Sequence, residues 1–184
     1  AFVVCVRLTS FEIPDTVTMI RRRTCYRCTG LTSIKISNSV TEIADCAFCE
    51  CTGLTSIEIP NSVTVIGSYG FEECTGLTSI DMPTALCEIR DLAFVGCVRL
   101  TSIEIPDTVT MIGRRTFYRC TGLTSIKISN SVTEIADCAF CECTGLTSIE
   151  IPNTVTVIGA YGFEECTGLT SIDMPTALCE IRDL

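Results

Sequence analysis

Cysteine is the residue type here with the most chemistry to offer: 15 of the 184 residues carry a thiol, while histidine and tryptophan are absent. Eight thiols recur every 23 residues, at Cys5, Cys28, Cys51, Cys74, Cys97, Cys120, Cys143 and Cys166. A spacing that strict reads as a column of buried free thiols, each a small hydrophobe with a weak S–H donor. Column neighbours would be close enough for a disulfide by Cα distance, but side chains in register point the same way and not at one another. The other seven are Cys25, Cys46, Cys49, Cys87, Cys138, Cys141 and Cys179. The run Cys46-x-x-Cys49-x-Cys51 gathers three thiols, to which Cys28 or Cys74 could add a fourth for zinc. Structural zinc sites usually join two paired clusters, and one is present here. A redox Cys-x-x-Cys would want a thioredoxin-like βαβ setting, which is also missing. The expectation is no metal and no cofactor.

Other catalytic chemistry fares no better. Without histidine, a Ser or Cys nucleophile has no usual base. The carboxylates fall at positions patterned to face solvent, so acid–base pairs lack a pocket. No Gly-rich phosphate loop occurs, and the Asn-Ser-Val and Asn-Thr-Val triplets are not glycosylation sequons. The chain reads as non-enzymatic. A net charge of −9 argues against nucleic acid, whose phosphates call for basic surfaces. No run of 18 apolar residues exists to span a membrane.

The charged residues fall into two series. One recurs every 23 residues: Glu12, Lys35, Glu58, Asp81, Glu104, Lys127, Glu150 and Asp173. With the Thr-Ser pairs beside it, such as Thr55-Ser56, it forms a candidate binding face, mostly acidic and rich in hydroxyls. The second alternates in blocks. Arg21, Arg22, Arg23, Arg27 and later Arg114, Arg115, Arg119 make basic corners; Glu72, Glu73 and Glu164, Glu165 make acidic ones. These are candidate lateral contacts, in which two parallel rods slipped by two repeats would set Arg115 and Arg119 against acidic corners.

What positions these residues is a tandem repeat. Units begin at Leu8, Leu31, Leu54, Leu77, Leu100, Leu123, Leu146 and Leu169, with a consensus L-T-S-I-x-I-P-x-x-V-T-x-I-x-x-x-x-F-x-x-C-T-G. Residues 1–92 and 93–184 are near-copies, 86 of 92 identical, differing at Val4/Gly96, Phe11/Ile103, Arg21/Gly113, Cys25/Phe117, Ser62/Thr154 and Ser68/Ala160. T-S-I-x-I alternates as a half-buried strand does, with Ile57 and Ile59 inward and Ser56 and Glu58 outward. All six prolines (Pro14, Pro60, Pro83, Pro106, Pro152, Pro175) follow that strand and end it, having no N–H for a ladder. V-T-x-I predicts a second short strand. The next stretch has room for a turn or two of helix or 3₁₀, with Phe48, Phe71, Phe94, Phe117, Phe140 and Phe163 plugging the interior. Thr-Gly then turns the chain, and Gly would supply positive φ. One unit cannot bury its apolar face alone, but stacked units can. Eight units at the parallel spacing of about 4.8 Å give a rod of about 38 Å. The expected domain is one uninterrupted solenoid over 1–184, coiled right-handed as parallel crossovers are.

The repeat LTSIEIPNSVTVIGSYGFEECTG, Leu54 to Gly76, and its siblings resemble the BspA-like branch of the leucine-rich-repeat family over the whole chain. Departures are Ser37 and Ser129 in place of Pro, Cys25 in place of Phe, Val98-Arg99 in place of Thr-Gly, and Thr84-Ala85-Leu86-Cys87 in place of N-S-V-T. The resemblance implies an extracellular or cell-surface protein, adhesive or architectural, whose partners are proteins or ligands of a host surface or matrix. The alternatives are an intracellular protein-interaction module and an engineered scaffold; scattered copy differences and many thiols speak against design. AFVVCVR at the start matches AFVGCVR at Ala93–Arg99, so it is repeat sequence and not a signal peptide. The last residues, Ile181-Arg182-Asp183-Leu184, would run on in register into Ala1. The chain is therefore expected to be a segment of a longer array, able to stack end to end into a filament.

Overall fold

The computed structural model describes residues 2–182, so the expected junction of Leu184 with Ala1 lies outside the described residues. Each unit makes one coil of the chain, and successive coils are tied along three edges.

The first edge is built of three-residue strands at Ser10–Glu12, Ser33–Lys35, Ser56–Glu58, Ser79–Asp81, Ser102–Glu104 and Ser125–Lys127, extended by bridges Lys127–Glu150 and Glu150–Asp173. Pairing is parallel and in register, Phe11 beside Ile34 and Ile57 beside Ile80. As the alternation predicts, the central Ile is buried and the flanking Ser and charged residue face water. The second edge consists of two-residue strands such as Glu42–Ile43 and Val65–Ile66, also parallel, with the Ile inside.

The third edge departs from the expectation. No helix or 3₁₀ segment forms in this stretch among the described residues. Two successive four-residue turns, overlapped by a third between them, close it instead, shown in the first unit by Thr24 N donating to Arg21 O, Cys28 N to Cys25 O and, between them, Tyr26 N to Arg23 O. In each pair of turns two residues adopt left-handed backbone, Arg23 (φ 57°) and Arg27 (φ 58°) in the first unit, Tyr69 and Glu73 in the third. That conformation aims alternate N–H groups along the stack: Arg23 N donates to Asp45 O, Cys25 N to Ala47 O and Arg27 N to Cys49 O. A helix would have spent those donors within its own unit, leaving nothing to bond the neighbour. The turn edge is thus a third ladder.

Thr-Gly also differs from expectation. Gly96 is the one glycine with positive φ, at 70°. At Gly53, Gly76 and Gly145 a Cβ would fall on the carbonyl oxygen of Thr29, Thr52 or Thr121 in the unit before. Glycine is needed there for close approach, and not for a left-handed turn.

The interior is a set of columns. Leu31, Leu54, Leu77, Leu100, Leu123 and Leu146 are buried, as are the strand isoleucines. Phe48, Phe71, Phe94, Phe117, Phe140 and Phe163 stack in one series, ring centroids 5.3 to 5.6 Å apart and planes within 12°. Offset stacking at this distance suits the ring quadrupoles. The first unit breaks the column with a buried Cys25; Phe11 there packs against Phe2, centroids 4.6 Å apart.

Candidate functional site

The column thiols are fully used by the fold. Cys74 Sγ donates to Phe48 O at 3.1 Å, Cys97 to Phe71 O at 3.2 Å and Cys120 to Phe94 O at 3.2 Å, with Cys51, Cys143 and Cys166 alike. Phe48 O also accepts Cys51 N at 3.1 Å, so both lone pairs of that carbonyl are engaged. Burial pushes the Cys51 and Cys120 thiols up to about 12, which keeps them protonated donors and poor nucleophiles. The three thiols of the zinc reading diverge. Cys51 faces the core toward Cys25 O, whereas Cys49 donates to Glu72 Oε2 at 3.0 Å on the turn edge. Among the described residues no three Cys, Asp or Glu side chains gather to hold a metal ion. Cys87 and Cys179 are exposed.

The strand edge carries the eight predicted charges one per unit, along a line whose pairing is interrupted between Asp81 and Glu104. Within the line the charges are unequally matched. Lys35 Nζ bonds Glu12 Oε1 at 2.6 Å, and Lys127 bonds Glu104 in the same way. Glu12 raises the Lys35 pKa by hydrogen bond and charge. Glu58 with Asp81, and Glu150 with Asp173, stand directly in register with no cation paired to them among the described residues. The neighbouring Thr hydroxyls are turned inward along the stack, Thr32 Oγ1 donating to Thr9 O and Thr78 Oγ1 to Thr55 O. That leaves Ser and the carboxylates for solvent. An open groove of about 700 Å³ runs beside them, lined by Ser56, Glu58, Asn61, Ser79 and Asp81.

The turn edge carries the second charged series, and the structure divides it. Arg27 Nε bonds Glu50 Oε2 at 2.8 Å and Arg119 Nε bonds Glu142 Oε2 at 3.3 Å, each in the next unit. These two arginines, expected as lateral contacts, are committed inside the molecule, because residues at one turn position lie a single rung apart. The remaining candidates, Arg22, Arg23, Arg114, Arg115, Glu72, Glu73, Glu164 and Glu165, have no salt-bridge partner among the described residues. Sequence reasoning passed over Tyr26 and Tyr118, which donate to Glu50 at 3.1 Å and Glu142 at 2.6 Å and lie under Arg23 and Arg115. Their recurrence 92 residues apart beside an arginine pair was the available signal. With Cys46, Tyr69 and Glu72, Tyr26 lines a cleft of about 300 Å³.

No helix among the described residues is long and apolar enough to cross a membrane. Comparison with curated proteins gives no match. Among solved structures, the chain is similar to a leucine-rich cell surface protein of Faecalibacterium prausnitzii A2-165, with 35% identity, 90% of this chain and 47% of that one covered, and a TM-score of 0.82. The chain spans about half the length of that protein. It is also similar to the T. pallidum leucine-rich repeat protein, with 26% identity, 90% and 79% covered, and a TM-score of 0.84. The pneumococcal vaccine antigen PcpA shares the fold, with 18% identity, 92% and 51% covered, and a TM-score of 0.64. The model of the BspA type leucine-rich repeat region matches residues 1–122 and 87–184 in six copies. The parallel ladders, the 23-residue register and this match agree: the chain belongs to the BspA-type leucine-rich repeat family.

Proposed function

We propose that this chain is a non-enzymatic, extracellular or cell-surface repeat whose strand edge binds basic segments of host or matrix proteins. One observation carries the reading. The in-register pairs Glu58/Asp81 and Glu150/Asp173 face solvent with no salt bridge among the described residues, because Lys35 and Lys127, one rung away, turn to Glu12 and Glu104, and like charges one rung apart repel. A basic partner laid along the edge would relieve the repulsion. Identical spacing in the two halves gives such a partner two footholds, which multiplies weak contacts through effective concentration. The surface location is supported by the family and by the F. prausnitzii cell surface protein.

The test measures binding of the chain to immobilised matrix proteins and to intact host cells. The variant Glu58→Lys, Asp81→Lys, Glu150→Lys, Asp173→Lys is expected to lose at least about tenfold in affinity, on the scale of exposed charge pairs acting together. Unchanged binding would refute the strand-edge assignment. A full-length protein with no secretion route would refute the surface reading.

A further inference from the structure

The turn edge is a surface whose charges the fold leaves largely unmatched, and they are arranged in two directions at once. Across the edge, Arg22, Arg23, Arg114 and Arg115 all sit on the first of the two turns, in Arg21–Thr24 and Gly113–Thr116. Glu72, Glu73, Glu164 and Glu165 all sit on the second, in Phe71–Cys74 and Phe163–Cys166. Along the stack, the basic pairs belong to units one and five and the acidic pairs to units three and seven, half of the four-unit period apart.

We propose that the turn edges of two copies of this chain pack face to face, parallel and slipped by two units. Facing one copy with another by a half-turn about the stack axis lays first turn over second turn. A slide of two units then puts basic over acidic. Applied twice, the operation advances four units and meets nearly the same sequence, since 86 of 92 residues repeat. Each copy therefore gives and receives the same contact, and the packing can extend along a longer array. An antiparallel pair keeps first turn over first turn, so arginines and glutamates miss one another across the edge.

The side chains are held ready. Cys49 and Cys141 thiols donate to Glu72 and Glu164 at 3.0 and 3.4 Å. Arg23 lies over the Tyr26 ring and Arg115 over Tyr118, 5.4 and 5.6 Å to the centroid. Among the described residues, the one buried side-chain nitrogen or oxygen without a hydrogen-bond partner is Nε of Arg115, on this edge. A second copy would bring carboxylates to the outer end of that half-buried arginine, the Nε itself being out of reach. Two turns of width along about 38 Å make a footprint under the usual stable interface, so pairing is weak in solution and strengthened by local crowding. The turn edge and the strand edge are separate faces, so copies can pair through one while a partner occupies the other.

The experiment is analytical ultracentrifugation of the whole chain at high concentration, in low and in high salt. Wild type is expected to associate at low salt and to dissociate by at least about tenfold at high salt. Arg22→Glu/Arg23→Glu/Arg114→Glu/Arg115→Glu and Glu72→Lys/Glu73→Lys/Glu164→Lys/Glu165→Lys should each sediment as a single copy, and a one-to-one mixture should associate again. These replacements keep non-glycine residues at the left-handed positions, and circular dichroism checks the fold. Direction is read from a spin label on exposed Cys179 with Cys87→Ser. Parallel packing offsets two labels by about 10 Å along the stack, against about 38 Å for an antiparallel pair centred on the fourth unit. Salt-independent sedimentation, a mixture that stays unassociated, or the longer separation would each overturn the proposal.

Discussion

Among the described residues, fourteen other than glycine hold left-handed backbone, with φ between 52° and 61°. Each costs about 1–2 kcal/mol for an L side chain, offset by the rung-to-rung hydrogen bond that the conformation permits. One position offers a natural comparison: Val4 in the first block is Gly96 in the second. Gly96→Val should destabilise the protein by about 1–2 kcal/mol from backbone strain, the Glu73 carboxylate that its Cβ would meet being the movable end of a side chain. A urea titration gives the value, and a midpoint within error of wild type would contradict the ladder account. The thiol column makes a second prediction. Unfolded thiols ionise near 9.0, whereas Cys51 and Cys120 are held up to about 12 by burial. Above pH 9 the unfolded chain therefore holds fewer protons than the native one, and stability falls as pH rises. It should be flat below pH 9 and decline toward pH 12, by about 1 kcal/mol per unit for each such thiol. Urea midpoints measured across that range test the sign; a constant midpoint to pH 11 would mean the native thiols ionise normally.

At the scale of the elements, both strand ladders break at one place, between Ser79–Asp81 and Ser102–Glu104 and between Glu88–Ile89 and Met111–Ile112. This is the junction where Val98-Arg99 stands for Thr-Gly. The other glycines of that position approach a carbonyl of the preceding unit too closely for a Cβ, so the Cβ that Arg99 carries there is expected to spread the strand edges. The first edge keeps Thr101 N to Thr78 O at 3.3 Å there, and the turn ladder and the Phe71–Phe94–Phe117 stack carry the rest of the junction. Arg99→Gly should close the gap, and amide exchange at Ile103 and Glu104 should slow several-fold, one added hydrogen bond being worth about 1 kcal/mol. Unchanged exchange would place the cause elsewhere. Sequence made the two strands, the prolines that end them and the phenylalanine column legible, because alternation and missing N–H groups are local facts. The turn ladder was hidden, because left-handed Arg, Glu and Tyr carry no glycine to announce the conformation. The candidate site divides the same way. The line of strand charges follows from the period alone. The capture of Arg27 by Glu50 and of Arg119 by Glu142 depends on the turn geometry that the sequence concealed.

At the scale of the molecule, each unit touches mainly its neighbours, so stability should be close to a sum over units and interfaces. Removing Leu54 to Gly76, one whole unit, is expected to leave a folded protein with a denaturant slope lower in proportion to the lost length. Removing 54–75 instead would shift the downstream strand by one residue relative to its neighbour and turn its isoleucines to water. Circular dichroism and urea titration of the two deletions decide this; equal folding of both would show that register matters little. The direction of the hydrogen bonds has a mechanical consequence. In all three edges the ladder bonds point along the stack and join coil to coil, while the bonds within a coil close only its own turns. Tension applied to the two ends therefore loads the interfaces one after another, and the weakest gives first. Each rupture pays out one 23-residue coil, about 80 Å of chain at full extension. A long array of such coils would lengthen in even steps under load, dissipating work at each, while the coils not yet opened keep their faces intact.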